Sequence, residues 1–132
     1  MRWGLQRMSI MIDITISTVP QEQQRYDTAG DYFTDEPLHV TIRVSDLKNP
    51  RYEFLIALHE MVEMFLCHNR GIGEDMVDKF DFAFKGAGEP GDDPNSPYFR
   101  EHQFATVIER MMAHELGVDW QSYNKRLEEV VP

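Results

Sequence analysis

The feature that most constrains the fold is an apolar segment, YEFLIALHEMVEMFLC at residues 52–67, interrupted near its centre by three ionisable side chains. The segment carries apolar residues on nearly every face of a helix, and such a helix is buried, not amphipathic. The ionisable residues inside it are His59, Glu60 and Glu63. Because an unpaired buried charge costs several kcal/mol, these side chains must be paired, protonated, metal-bound or open to a cleft.

The spacing of the three residues brings them to one side of the predicted helix. His59 and Glu63 lie four residues apart on one stripe, with Glu60 beside them, so all three can face a common centre. This arrangement is typical of a metal site with an adjacent base. The alternative is a structural hydrogen-bonded pair of His59 and Glu63, with Arg70 or Arg110 as a further partner.

The motif resembles the zincin metallopeptidase signature, His-Glu-x-x-His on a helix. In that family the two histidines hold zinc and the glutamate activates water. Here Glu63 stands in place of the second histidine, which lowers zinc affinity and favours metals that prefer oxygen ligands. The resemblance implies His59 and Glu63 as metal ligands, Glu60 as the catalytic base, and zinc as the expected metal.

A third metal ligand has to come from another part of the chain, and His102 is the candidate. It lies in SPYFREHQFATVIERMMAHELG, residues 96–117, a predicted helix with a capping serine and a terminal glycine. On this helix His102 shares a stripe with Ala105 and Ala113, whose small side chains let another helix approach closely. In the thermolysin-like zincins the third ligand is likewise carried on a second, downstream helix. The alternative is that His102 is an ordinary core histidine.

Four further residues are candidates for the surroundings of the site. Glu109 lies two turns beyond His102, roughly 10 Å along the helix axis, so we expect it to pair with or support a ligand. Tyr98 and His114 are candidates for stabilising an oxyanion. Asp81 is an acidic residue placed well enough on its own predicted helix to reach the site.

The fold class follows from the periodicity of the remaining segments. Residues 10–17 and 38–45 alternate apolar and polar side chains, which predicts two half-buried strands. Tyr32 and Phe33 fit a short third strand, and we expect antiparallel pairing because no crossover helix intervenes. The sequence therefore predicts an α+β domain, with a small N-terminal sheet of two or three strands packed on the buried central helix and about three further helices.

A loop rich in glycine and proline, KGAGEPGDDPNSP at residues 85–97, immediately precedes the helix that carries His102. A long loop in this position is where a substrate-gating flap would lie. A plain surface connection is the alternative.

Length and composition bound the class of protein. The 132 residues predict a single domain, with residues 1–9 as a disordered lead, and the oligomeric state stays open. A net charge of −10 argues against nucleic acid and anionic membranes as partners, because both require a positive surface. The single cysteine, Cys67, fits a reducing compartment, and neither a signal peptide nor a membrane span is visible. We therefore expect a cytoplasmic protein.

Most of the chain, through GDYF, HEMVE, GEPGD, PYFREHQFA and LGVDWQSY, resembles small uncharacterised proteins of bacteriophages and prophages. This resemblance implies an origin but no activity. Two functions are compatible with the sequence. The first is a metal-dependent hydrolase of the zincin type acting on a peptide or amide. The second is a non-catalytic phage accessory or interaction protein, in which the same residues form a structural metal site or a buried polar network.

Overall fold

The computed structural model of the protein describes residues 13–36 and 39–131. Three strands form one sheet: β1 (Asp13–Val19), β2 (Gly30–Glu36) and β3 (His39–Ser45). Four α-helices follow: α1 (Pro50–Asn69), α2 (Glu74–Ala83), α3 (Phe99–Glu115) and α4 (Trp120–Val130). The predicted α+β class is confirmed. The lead expected at residues 1–9 and the start of the first predicted strand lie outside the described residues.

The sheet is mixed, with the strand order β1-β3-β2. β3 pairs in parallel with β1, which places Ile14 opposite Val40, and in antiparallel with β2, which places Tyr32 opposite Ile42. The expected antiparallel pairing of the two alternating strands is therefore wrong. The reason is that β2 intervenes as a full strand and forms a hairpin with β3. The chain reverses direction twice, so β1 and β3 run the same way.

The central strand β3 provides the base of the core. Its apolar residues Val40, Ile42 and Val44 are buried against the helices, whereas Ile16 on the edge strand β1 is 50% exposed. Because β3 is central and has a hydrogen-bonded neighbour on each side, its apolar residues are buried and the polar residues between them stay partly exposed.

Helix α1 begins at Pro50, after Asn49, whose side chain accepts hydrogen bonds from two backbone amides of the first turn. The helix packs against the sheet and against α3. Leu55 and Met64 are completely buried, but Phe54 and Phe65 are 49% and 42% exposed. The expectation that α1 is buried on nearly every face is thus only partly correct, because its third side has no covering element among the described residues.

Helix α3 packs closely on α1 through small residues, since Ala105 and Ala113 are 0% and 1% exposed. It begins at Phe99, three residues later than the predicted cap at Ser96, whose hydroxyl instead accepts from the backbone amide of Tyr98. It is followed by Gly117 in a left-handed conformation, as predicted. Among the described residues, none of the helices combines the length and hydropathy needed to cross a membrane.

Candidate metal centre

The close packing of α1 and α3 brings the three predicted ligands together. His59 Nε2 lies 3.0 Å from Glu63 Oε2 and 3.1 Å from His102 Nδ1, and the last two atoms are 2.9 Å apart. All three residues are buried, with exposed fractions of 4–5%. We call these three residues the triad. Two of them lie one turn apart on α1, and the third faces them from the first turn of α3.

The dimensions of the triad fit a metal ion. Ligand nitrogen and oxygen atoms lie about 2.0–2.1 Å from zinc and similar ions, which puts neighbouring ligands roughly 2.9 Å apart in an octahedron and 3.3 Å in a tetrahedron. The three observed separations, 2.9–3.1 Å, lie within or next to that interval. The triangle therefore has the dimensions that three ligands of one ion would require.

His59 is oriented from behind by a carboxylate. Its Nδ1 lies 2.7 Å from Glu109 Oε1, and the hydroxyl of Tyr123 donates to the other oxygen of Glu109 at 2.5 Å. Glu109 and Tyr123 are themselves buried. A proton on Nδ1 leaves the lone pair of Nε2 free to face the triad, which is how histidine ligands are commonly held. Glu109 thus has the supporting position expected from its distance along α3.

His102 also has an acidic partner on its outer side, supplied by the loop before α3. Its Nε2 lies 3.1 Å from Asp92 Oδ1 and 3.6 Å from Glu89 Oε2, although neither contact has the direction of a hydrogen bond. The loop can approach because Gly91 has no side chain. A Cβ there would lie 2.4 Å from the ring of His102. The sequence predicted a loop at this point but gave no sign that Asp92 would reach the histidine.

Two arrangements satisfy the inner atoms of the triad. Both histidine nitrogens lie within hydrogen-bond distance of one oxygen of Glu63, so each of them can donate a proton to that carboxylate. When both nitrogens are deprotonated, their lone pairs and the Glu63 oxygen face the same small space, which is the donor set that a divalent metal ion requires.

The electrostatics of the triad attract positive charge. Burial opposes the charged imidazolium of His59, but hydrogen bonds to Glu109 and Glu63 raise its pKa well above the ordinary value. For His102 burial likewise opposes the charge, while Asp92 and Glu63 raise the pKa to about 12. Burial raises the pKa of Glu63, yet its hydrogen bonds to the two histidines bring it to about 2. The surrounding carboxylates thus stabilise positive charge on the two histidines.

Glu60 lies next to the triad on α1 and has a different environment. Burial, followed by the nearby charge of Glu63, raises the pKa of Glu60 well above its ordinary value. Within residues 13–36 and 39–131 its carboxylate accepts no hydrogen bond. The first residue of β2, Gly30, comes so close that an added Cβ would lie 2.9 Å from the Glu60 side chain. Glu60 is therefore an uncommitted carboxyl group.

A cavity of about 220 Å³ opens beside the triad and is lined by both His59 and Glu60. Its wall contains three further acidic residues, Glu89, Asp92 and Glu109. A small molecule or one side chain of a peptide that entered this cavity would meet the triad and Glu60 together.

Tyr98 and Asp81 bond to each other and do not line the cavity. The hydroxyl of buried Tyr98 donates to Asp81 at 2.6 Å, and that of Tyr26 donates to the second oxygen of Asp81 at 3.1 Å. Burial raises the pKa of Asp81 to about 7. His114 lies exposed near the end of α3. The structure therefore does not bring Tyr98, Asp81 or His114 to the cavity wall. The neutral polar side chains that do line it are Thr28, Thr106 and Asn124.

The arginines considered as structural partners of the triad have other contacts. Arg70 pairs with Glu101 at 2.7 Å, and Arg110 lies over the ring of Trp120. The residue that closes the network behind His59 is Glu109, so neither of these two arginines is the partner of the triad.

Comparison of the chain with protein-family models, curated proteins and solved structures finds no match. We therefore infer the chemistry of the site from its own residues.

Proposed function

We propose that the chain is a metalloprotein in which His59, Glu63 and His102 bind one divalent metal ion, with zinc as the expected metal. The observation that carries this proposal is the triangle of ligand atoms 2.9–3.1 Å apart, formed by two buried imidazole nitrogens and one buried carboxylate oxygen. Two imidazoles and one carboxylate are a common ligand set for catalytic zinc, and the same set also serves iron.

We propose further that this is a hydrolase of the zincin type acting on a peptide or amide. When bound, the metal would lower the pKa of a coordinated water and polarise the amide carbonyl. Glu60 is placed beside the triad to accept the proton of the attacking water and pass it to the leaving amine. Its side chain lines the cavity together with His59, where an entering amide would lie.

A structural metal site is the second candidate, and the burial of all three triad residues favours it. Structural zinc sites, however, are closed by four protein ligands, whereas catalytic sites keep an open position. The cavity of about 220 Å³ beside the three-residue triad supports an open position. The two candidates differ in whether Glu60 matters to activity, which gives a direct test.

The first experiment measures the metal content of protein purified without a histidine tag. We expect about one equivalent of zinc or another transition metal per chain, and uptake of one equivalent after removal and resupply. A fully folded protein that neither contains nor takes up such a metal overturns the proposal.

The second experiment separates catalysis from binding by replacing Glu60 with Gln. Hydrolysis of a mixed peptide pool, detected as newly formed amino termini, should fall by at least about 100-fold, while metal content stays at one equivalent. Glu115→Gln, an exposed substitution of the same kind on α3, should leave both unchanged. If the wild-type protein binds metal but hydrolyses no peptide or amide, the structural-site candidate is correct.

A further inference from the structure

The lining of the cavity beside the triad is chemically mixed. Its acidic residues include Glu60, Glu89 and Asp92, and its apolar or aromatic residues are Ile56, Trp120 and Leu127. Among the lining residues, neither lysine nor arginine occurs. A molecule that fills the cavity therefore meets carboxylates as well as hydrocarbon or aromatic surface.

The acidic residues that line the cavity differ in how many contacts they already form with other side chains of the protein. Both oxygens of Glu109 are taken, by His59 and by Tyr123. Asp92 accepts from the side chain of Gln103 at 3.1 Å and faces His102. The side chain of Glu89 is 61% exposed, and its contact with His102 is long, at 3.6 Å. If Glu60 serves as the base, Glu89 is the carboxylate most available to a ligand.

A buried polar atom lies against two of the acidic residues that line the cavity. The Nε2 atom of His102 lies between Glu89 and Asp92 and forms no hydrogen bond with any residue that the structure describes, although the residue is only 4% exposed. A buried nitrogen without a partner is costly, so a ligand that brings a carbonyl oxygen to this atom would stabilise it.

Size and charge together restrict what fits. A cavity of about 220 Å³ is smaller than the roughly 300–1,000 Å³ of pockets for drug-sized ligands, so it suits a group on the scale of one side chain. The largely exposed carboxylate of Glu89 would repel acidic side chains, and the net charge of −10 works in the same direction.

We propose that the site selects amide substrates that carry an amino or guanidinium group within one residue of the reacting bond, with Glu89 as the residue that recognises the positive charge. This inference rests on the hydrolase function proposed above. The apolar side chains of Ile56 and Leu127 in the lining receive the methylene stem of such a side chain, and the largely exposed Glu89 receives its charged end. Glu89 is thus a specificity-determining residue, and Glu60 remains free to act on water.

The test measures binding of three probes to the zinc-loaded full chain: the Nα-acetylated amides of lysine, norleucine and glutamate. Norleucine matches the stem of lysine without its charge. We expect the lysine probe to bind roughly fivefold more tightly than the norleucine probe, as suits one partly exposed ion pair. The glutamate probe should bind most weakly. Equal affinities for lysine and norleucine overturn the proposal.

The Glu89→Gln variant assigns the recognition to one residue. It should bring the lysine and norleucine affinities within about twofold of each other, whereas Glu128→Gln, an exposed change of equal charge on α4, should leave the fivefold difference in place. In peptides, the ratio of kcat/KM for lysine over norleucine beside the cleaved bond should fall in the same proportion. A lysine preference that persists in Glu89→Gln overturns the assignment of Glu89.

Failure of this inference is distinguishable from failure of the proposed function. One equivalent of bound metal and hydrolysis of lysine and norleucine peptides at equal rates would leave the hydrolase intact and overturn the substrate class. A second equivalent of metal that disappears in Glu89→Gln would also overturn it, because Glu89, Asp92 and His102 would then bind a cation of their own. Absence of any bound metal would overturn the function instead.

Discussion

Two buried polar clusters lie near the start of α3, and they meet the cost of burial in opposite ways. In the Asp81 cluster, which consists of Asp81, Tyr26 and Tyr98, each carboxyl oxygen has its own hydroxyl donor. Burial also raises the pKa of Asp81 to about 7, so the group can take up a proton and lose its charge. This cluster satisfies its hydrogen-bonding needs from within the protein.

In the triad, one oxygen of Glu63 has to serve both histidines. The ligand atoms of His59, Glu63 and His102 converge within 3.1 Å of one another, and the outer nitrogens of both histidines face carboxylates. Burial alone therefore does not distinguish a structural network from a binding site. The convergence of several potential ligand atoms on one point does.

The largest expected effect comes from removing a triad histidine. His59→Ala and His102→Ala should each lower zinc affinity by more than about 100-fold, beyond what removal of a supporting residue costs. Competition with a chelating dye measures this. The variant Asp81→Asn, which alters the Asp81 cluster, should bind zinc as tightly as the wild type does. Retention of wild-type affinity by His102→Ala would refute the assignment of the third ligand.

The next effect is on stability and concerns the Asp81 cluster. The pKa of Asp81 is raised from 3.8 to about 7, so the folded protein binds one more proton than the unfolded chain between about pH 4 and pH 7. The contribution of Asp81 to the free energy of unfolding is therefore fully present below about pH 4. About 2–4 kcal/mol of it is lost as the pH rises to 7. Urea unfolding across this range should show a smaller decline for Asp81→Asn, which is uncharged throughout. Parallel curves for the two proteins would contradict the assignment.

A smaller effect is expected from the residues behind His59. Glu109→Gln should lower zinc affinity by about 10- to 100-fold, because the amide no longer holds Nδ1 as a carboxylate does. Tyr123→Phe, which removes only the hydroxyl that orients Glu109, should cost less, about two- to fivefold. The order of the two variants is the test. An unchanged affinity in Glu109→Gln would mean that the carboxylate does not position His59.

The smallest effect concerns the loop over His102. In Gly91→Ala the added Cβ collides with the His102 ring, so the loop or the ring must shift, which should cost about 1 kcal/mol of zinc binding. Gly73→Ala is a matched control, because Gly73 has open space around it and a φ of −71°. Equal zinc affinities of the two variants would show that the loop does not constrain the histidine.

The sequence predicted the local part of this arrangement well. Ionisable residues at a four-residue spacing in an apolar helix place His59 and Glu63 together, and small residues on the second predicted helix bring His102 to them. Both inferences depend on helical periodicity, which is set by neighbours in the chain. Glu109 was expected near a ligand for the same reason.

The parts that the sequence could not predict depend on contacts between distant segments. The parallel pairing of β1 with β3 arises because β2 is a complete strand between them in the chain. The pattern at Tyr32 and Phe33 indicated only a short strand there. The approach of Asp92 to His102 depends on how a loop folds back over α3, and loop residues carry no periodicity. Gly91 was the available signal, since a glycine between acidic residues before the ligand helix permits a close approach.

The measurement that tests the central claim most directly is the zinc X-ray absorption spectrum of the full chain loaded with one equivalent of zinc. We expect the nearest neighbours of zinc to be nitrogen and oxygen atoms at about 2.0–2.1 Å, with the outer-ring scattering of two imidazoles and no sulfur. In His102→Ala the contribution of one imidazole should disappear. A folded protein that takes up no zinc, or a spectrum with fewer than two imidazoles, would contradict the claim that His59, Glu63 and His102 form a metal centre.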